Sequence, residues 1–189
     1  MEAFLVSTGV VALGEIGDKT QLLALVLAAR FRRPWPIIAG ILAATLANHT
    51  LAGLLGSWVR GIVMPETLRW LVATSFFAVA IWALIPDTLD DDRPQPSSRL
   101  GIFGVTVAAF FLAEMGDKTQ IATAVLAARY PSLAAVVAGT TLGMLVADVP
   151  VVLIGNASAA KIPIKAIRIV AALMFAALGI YTLLAVPVE

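Results

Sequence analysis

The sequence has no cysteine and a single histidine among its 189 residues. Without cysteine, disulfide bonds, thiol catalysis and cysteine-bound zinc or iron–sulfur sites are excluded. One histidine cannot build a multi-histidine metal site within one copy. Charge is also scarce, because only 13% of the residues are charged, against about 25% in an ordinary soluble domain. The 13 Lys and Arg nearly balance the 12 Asp and Glu, which leaves no basic field for nucleic acid.

Apolar residues are what the sequence has in abundance, at 60% with a mean hydropathy of +0.96. A membrane-spanning helix needs about 20 predominantly apolar residues. Six segments qualify, and charged or proline-containing stretches separate them: 3–29, 36–58, 67–86, 101–128, 133–156 and 164–186. The sequence therefore predicts an all-α integral membrane protein with six transmembrane helices and no prosthetic group. It leaves assembly into a homo-oligomer open.

Lysine and arginine are distributed unequally between the two predicted faces of the membrane. One face carries Arg60, Arg69 and Arg129. The other carries eight such residues: Arg30, Arg32, Arg33, Arg93, Arg99, Lys161, Lys165 and Arg168. Since basic loops tend to stay in the cytoplasm, we expect the second face to be cytoplasmic and both chain termini to lie outside.

The chain also contains an internal repeat. A shift of 99 residues places Glu15–Arg30 on Glu114–Arg129 with eleven identities in sixteen positions. Each half has three predicted spans, so the second half must enter the membrane from the opposite side, as in the inverted repeats of many secondary transporters. The sequence thus predicts a three-helix repeat over 1–86, an acidic, proline-rich cytoplasmic linker over 87–100, and an inverted repeat over 101–189.

The charged part of this internal match is nearly identical in the two halves and lies in the middle of the first and fourth predicted spans. We call Glu15–Thr20 and Glu114–Thr119 the two motifs; each reads Glu-x-Gly-Asp-Lys-Thr. A charge at the bilayer centre costs about 2.5–3.5 kcal/mol when it faces lipid, so the six motif charges are expected to face one another, water or an ion. The glycine inside each motif allows either close helix approach or a local break.

Spacing along a helix would put the Glu and the Asp of each motif on one face, with a glutamine one turn further. The predicted metal ligands are therefore Glu15, Asp18, Gln21, Glu114, Asp117 and Gln120, supported by Lys19, Thr20, Lys118 and Thr119. This all-oxygen set suits Mn²⁺, Ca²⁺ or Mg²⁺ better than Zn²⁺ or Cu⁺. Four carboxylates and two ammonium groups sum to −2, which one divalent cation or two protons would neutralise. The hypothesis that follows is proton–cation antiport.

Two alternatives stay open for these charges. Glu15 and Lys19 are four residues apart, so each motif could be an internal ion cluster that only fixes helix packing. The lysines could also compete with the cation for the carboxylates and so promote its release.

Three further polar residues lie inside the second and fifth predicted spans. His49 and Asp148 are related by the same 99-residue shift, and Asn48 precedes the histidine. An intramembrane acid is a functional candidate by default, and histidine titrates near neutral pH. These residues are candidates for a proton relay or for support of the carboxylates. The alternative is a hydrogen-bonded pair that joins two helices.

The two motifs resemble the signature of a family of small cation/proton exchangers, uncharacterised protein family sixteen, once in each three-helix half. That family includes Golgi calcium and manganese transporters and bacterial manganese exporters. The resemblance implies that Glu15, Asp18, Glu114 and Asp117 carry cation transport. It further implies that a bacterial member exports Mn²⁺, with Ca²⁺ as a second candidate, across the inner (plasma) membrane. Divalent cations and protons are then the partners of the chain, together with the lipid bilayer.

Three other classes of protein compete with an exchanger. The Gly-Asp pairs are also found in intramembrane aspartyl proteases, but here both copies begin with Glu and the chain has no Tyr-Asp pair. We therefore expect no enzyme. A cation channel would fit the oxygen ligands, although inverted halves favour alternating access. An exporter of small organic solutes on a six-helix plan would need a roomier, less acidic cavity.

Overall fold

The computed structural model describes residues 1–85, 101–154 and 164–184, so the predicted linker 87–100 lies outside the described residues. Within them the chain forms helices, as predicted. They are α1 (Glu2–Glu15), α2 (Lys19–Phe31), α3 (Pro34–Ile62), α4 (Pro65–Ala83), α5 (Gly101–Glu114), α6 (Lys118–Arg129), α7 (Leu133–Ile154) and α8 (Ile164–Leu184). Proline occupies the first turn of α3 and of α4, where its missing N–H removes no helical hydrogen bond.

The described residues contain eight helices where the sequence predicted six. Two of them, α3 and α7, are long and apolar enough to cross a membrane by length and composition. The segment Gly101–Glu114 is apolar but shorter, as is Ile169–Leu184 within α8. The extra helices arise because the first and fourth predicted spans are each divided in two, into α1 and α2 and into α5 and α6.

Each division falls inside a motif and depends on its glycine. Gly17 has a φ of 81° and Gly116 a φ of 76°, a left-handed conformation that only glycine adopts readily. The backbone N–H of Asp18 donates to the Glu15 carbonyl at 2.9 Å, and that of Asp117 donates to the Glu114 carbonyl at 3.1 Å. Each helix therefore stops at its glutamate and a new one starts at the lysine. Of the two possibilities that the sequence left open for these glycines, the local break is the one observed.

Contacts between the two halves follow the internal repeat. A Cβ added at Gly40 on α3 would lie 2.6 Å from the Thr106 Cβ on α5. A Cβ added at Gly139 on α7 would lie 2.9 Å from the Ser7 Cβ on α1. Both the glycines and their partners are 99 residues apart, so the same close contact occurs twice. Helix α3 thus packs on α5 and helix α7 on α1, each across the boundary between the halves.

Packing is unequal for the two helices that follow the breaks. Helix α6 packs more extensively on α3 than its equivalent α2 packs on α7. Burial differs accordingly: Ala128 near the end of α6 is 6% exposed, whereas its equivalent Ala29 on α2 is exposed. Helix α6 shares a core with α4 and α8, built around Phe76, Leu126 and Phe175. The two halves therefore match in sequence but adopt different conformations.

Candidate metal centre

The two motif glutamates end α1 and α5 and are fully buried, with 0% exposure each. In each motif the threonine on the following helix reaches back across the break. The Thr20 hydroxyl donates to Glu15 Oε2, and the Thr119 hydroxyl donates to Glu114 Oε2 at 3.1 Å. The other carboxylate oxygen of each glutamate, Oε1, accepts no hydrogen bond from the described residues. Each break therefore holds one glutamate in place through Oε2 and leaves its Oε1 without a hydrogen bond from the described residues.

Glu15, Glu114 and Asp117 form a compact acidic group between the two breaks. One oxygen from each of the three carboxylates lies within 4.8 Å of the other two, and all three side chains are buried. Asp117 Oδ2, like the two Oε1 atoms, is buried and accepts no hydrogen bond within the described part of the chain. Oxygen atoms that converge in this way are suited to a hard divalent cation.

The lysines and aspartates of the motifs pair across the two halves. Lys118 Nζ lies 2.8 Å from Asp18 Oδ1, and Lys19 Nζ lies 3.5 Å from Asp117 Oδ1. The first pair is buried, while the Lys19 side chain is 25% exposed. Both salt bridges found among the described residues thus join one half to the other. The alternative of ion clusters internal to each motif is not what the structure shows.

The predicted arrangement of Glu and Asp on one helical face is wrong. Residues 15–18 and 114–117 are not a continuous helix, because the glycine ends the helical path between the two acids. The break itself brings the carboxylates together. Asp18, the fourth motif carboxylate, lies near Glu114 but outside the group of three oxygens described above.

The two predicted glutamine ligands bind the backbone of the breaks. Gln21 Oε1 accepts from the Gly17 N–H at 2.9 Å, and Gln120 Oε1 accepts from the Gly116 N–H at 2.8 Å. Gln21 Nε2 also donates to the Ala147 carbonyl on α7 at 3.0 Å. Their amide groups therefore stabilise the left-handed glycine conformation of each break, which the residue spacing alone did not reveal.

Asp148 faces the same site from α7. Its side chain is fully buried, neither carboxylate oxygen accepts a hydrogen bond from the described residues, and it lies close enough to Glu15 and Glu114 for their charges to repel. His49 is equally buried, and neither of its ring nitrogens has a hydrogen-bond partner among the described residues. A His49–Asp148 hydrogen bond is therefore not observed. Asn48 Nδ2 donates to the Phe111 carbonyl on α5 at 3.1 Å.

Two contacts at the end of α6 were not predicted from the sequence, and one of them joins the two halves. The Tyr130 hydroxyl donates to Glu2 Oε1 at 3.0 Å, and the Arg129 guanidinium lies over the Tyr181 ring, 5.7 Å from its centroid. Burial together with this hydrogen bond raises the pKa of Tyr130 to about 12. These contacts hold the start of α1, the end of α6 and α8 together. An aromatic residue at 130, directly after a helix-ending arginine, was the only available signal.

Comparison with known proteins identifies the family of the chain. The pattern of a family described as divalent cation/proton antiporter GDT1 matches residues 3–91 and 102–187, one stretch in each half of the chain. The chain belongs to this family. The GDT1 family consists of membrane transporters, so the resemblance inferred from the two motifs is confirmed, and the expectation of a transporter rather than an enzyme agrees with it. No solved structure matches the chain.

Related GDT1 sequences come from bacteria and plants. A Vibrio cholerae serotype O1 protein named "Putative manganese exporter" is 52% identical over 183 residues, which cover 96% of this chain and 90% of that protein. A GDT1-like protein of Synechocystis sp. is 28% identical over 93% of both chains. A GDT1-like protein of Arabidopsis thaliana is 26% identical over 100% of this chain and 98% of its own.

Proposed function

We propose that the chain exports divalent cations, Mn²⁺ in preference to Ca²⁺, in exchange for protons, by alternating access to a site between the two halves. The observation that carries this proposal is the buried group of Glu15, Glu114 and Asp117, whose oxygens converge where the two helix breaks meet. Membership of an antiporter family supports exchange, and the name of the Vibrio cholerae relative supports manganese.

The charges of the site account for the exchange. Each aspartate of the motifs is paired with the lysine of the other half, which leaves the two glutamates without a cationic partner among the described residues. Two buried carboxylates without counter-charge are unfavourable in a low-dielectric site. One divalent cation or two protons would supply the missing positive charge, so the site can hold either of them. Release of the cation to one side then requires protons from that side.

Asp148 is the candidate for carrying protons between the glutamates and the aqueous side. It is buried beside them and has no hydrogen-bond partner among the described residues. His49 occupies the equivalent position in the other half and would support the same route. Asn48 would hold α3 against α5 through its bond to Phe111. Thr20 and Thr119 orient the glutamates, and Gln21 and Gln120 are placed to hold the breaks, with a second lone pair left for a cation.

The six predicted spans correspond to α1 with α2, α3, α4, α5 with α6, α7, and α8. Two inverted repeats over 1–86 and 101–189 would place the site at mid-membrane, where broken helices are tolerated because they line a cavity. The bias of Lys and Arg places the end of α2 in the cytoplasm and both termini outside the inner membrane. The contacts around Tyr130 then close the outer side of the site, and the looser packing of α2 leaves the inner side more open.

Cation flux in sealed vesicles that contain the purified chain tests the proposal. Vesicles with an acidic interior should take up Mn²⁺, and uptake should stop when a proton ionophore removes the gradient. Glu15→Gln should abolish this flux, whereas Glu66→Gln, at an exposed position at the start of α4, should leave it unchanged. Flux that is independent of the pH gradient, or that survives Glu15→Gln, would contradict exchange. Competition between Mn²⁺ and Ca²⁺ in the same vesicles would establish the preferred ion.

A further inference from the structure

The two pairs of lysine and aspartate are equivalent in sequence but unequal in geometry. Lys118 holds Asp18 at 2.8 Å, and less than a twentieth of either side chain is exposed. Lys19 lies 3.5 Å from Asp117, and a quarter of its side chain is exposed. The first contact is a close, desolvated ion pair, and the second is a longer and partly solvated one.

The two aspartates also differ in their distance from the glutamates. Asp117 shares the compact group with Glu15 and Glu114, and its Oδ2 accepts no hydrogen bond from the described residues. Asp18, which is held by Lys118, stays outside that group. In this conformation the aspartate with the closer lysine lies near Glu114 but outside the group of three, and the aspartate with the more distant lysine belongs to it.

The inequality accompanies the unequal packing of the helices that begin with these lysines. Helix α6 starts at Lys118 and is the more buried of the two, whereas α2 starts at Lys19 and is more exposed. Since the motifs differ only at Ile16 and Met115, a converse arrangement would involve the same charged groups. There α2 would be packed, Lys19 would hold Asp117 closely, and Asp18 would join the glutamates.

We propose that Lys118 and Lys19 are positioning residues that withdraw the opposite aspartate alternately. With α6 packed, Lys118 keeps Asp18 out of the cation site and Asp117 completes it. With α2 packed, Lys19 keeps Asp117 out and Asp18 completes it. The cation therefore exchanges one aspartate ligand for the other whenever access changes, while the net charge around it stays constant. This inference rests on the proposed function, because it assigns the lysines a role at the proposed cation site.

Cysteine labelling can read the two conformations directly, because the natural chain has no cysteine. Ala128→Cys and its equivalent Ala29→Cys provide a matched pair of reporters, one buried in the present conformation and one exposed. Each is combined with Lys118→Gln or Lys19→Gln and exposed to a thiol reagent in detergent with a metal chelator present. Removal of one partner of a buried ion pair strongly destabilises the conformation that contains it.

The two lysine substitutions should shift the reporters in opposite directions. Lys118→Gln should accelerate labelling at Ala128→Cys by about tenfold or more and slow it at Ala29→Cys. Lys19→Gln should leave Ala29→Cys accessible and should slow labelling at Ala128→Cys still further. A lysine that only balances charge would move both reporters in the same direction, and that result, or no change with Lys118→Gln, would overturn the inference.

A second pair of variants guards against misfolding of the lysine variants. Asp18→Asn removes the same ion pair from its other side, so it must expose Ala128→Cys as Lys118→Gln does, whereas Asp117→Asn must not. Failure of Asp18→Asn to expose this reporter overturns the inference as well. Labelling requires no transport, so these results are independent of the vesicle flux that tests proton exchange.

Discussion

The motifs at the two helix breaks are identical in five of their six positions, yet they lie in different surroundings. Lys19 after the first break is partly exposed and α2 packs less extensively than α6, whereas Lys118 after the second is buried and α6 packs in a core with α4 and α8. The proposed alternating access between two inverted repeats would require such similar segments to adopt unequal conformations. The comparison separates two kinds of residue. Those that act at the site should be equally important in both halves, and those that hold one conformation should not.

The glutamates belong to the first kind, and they should give the largest effect. Glu15→Gln and Glu114→Gln should each reduce proton-driven Mn²⁺ flux by at least about 100-fold, because loss of a direct ligand exceeds the 10–100-fold effect of an outer residue. Flux in reconstituted vesicles measures this, with Glu66→Gln as the control. Retention of most activity in only one of the two variants would mean that the site is not shared between the halves.

Asp148 and His49 occupy equivalent positions but carry different chemistry, so they should differ. Asp148→Asn should reduce flux by about 10–100-fold, since its carboxylate lies beside both glutamates. His49→Gln should reduce flux less, because its imidazole adds no carboxylate beside the two glutamates. The same vesicle measurement applies, together with Mn²⁺ binding in detergent. Equal losses for the two variants would remove the distinction between them.

The motif glycines should have equal and moderate effects on stability. Gly17→Ala and Gly116→Ala should each lower the free energy of unfolding by about 1–2 kcal/mol, the strain of an L-residue in the left-handed region. Gly9→Ala is the control, because a Cβ there meets no atom within 4 Å and alanine favours a helix. Denaturation in mixed detergent measures the difference. A neutral Gly116→Ala would show that the break does not depend on its glycine.

In the proposed pair of conformations the Tyr130 hydrogen bond to Glu2 would form only with α6 packed, and its loss should give the smallest effect. Tyr130→Phe removes its hydrogen bond to Glu2, which is worth about 1 kcal/mol, or roughly a fivefold shift of the conformational equilibrium. Labelling at Ala128→Cys should rise by that factor. Phe31→Tyr adds a hydroxyl at the equivalent position, where the counterpart of Glu2 is Gly101 and accepts no such bond, so it should not change labelling.

Local sequence features predicted which acidic residues lie together better than how they are arranged. Two nearly identical charged motifs inside apolar spans singled out the glutamates and Asp117, since an intramembrane charge is a functional candidate by default. The helical spacing of Glu and Asp was misleading, because a glycine between them can adopt a φ that ends the helix. Which of the two permitted conformations Gly17 and Gly116 adopt depends on tertiary contacts, such as the bond from Gln21 to Ala147.

The pairing of each motif lysine with the aspartate of the other half could not be predicted from the sequence for a similar reason. Lys19 can reach Glu15 within one helix or Asp117 in the other half, and only the fold decides between them. The repeat offset did predict equivalent positions, as the close contacts of Gly40 and Gly139 illustrate. It could not predict that equivalent helices would pack unequally, because an internal match describes what the two halves share and not how they differ.

Anomalous diffraction from crystals grown with Mn²⁺ tests most directly the claim that the two halves share one cation site. The account predicts a single anomalous peak between the two breaks, within bonding distance of Glu15, Glu114 and one of the two motif aspartates. A peak confined to the acidic run at 90–92, or separate peaks within each half, would contradict it.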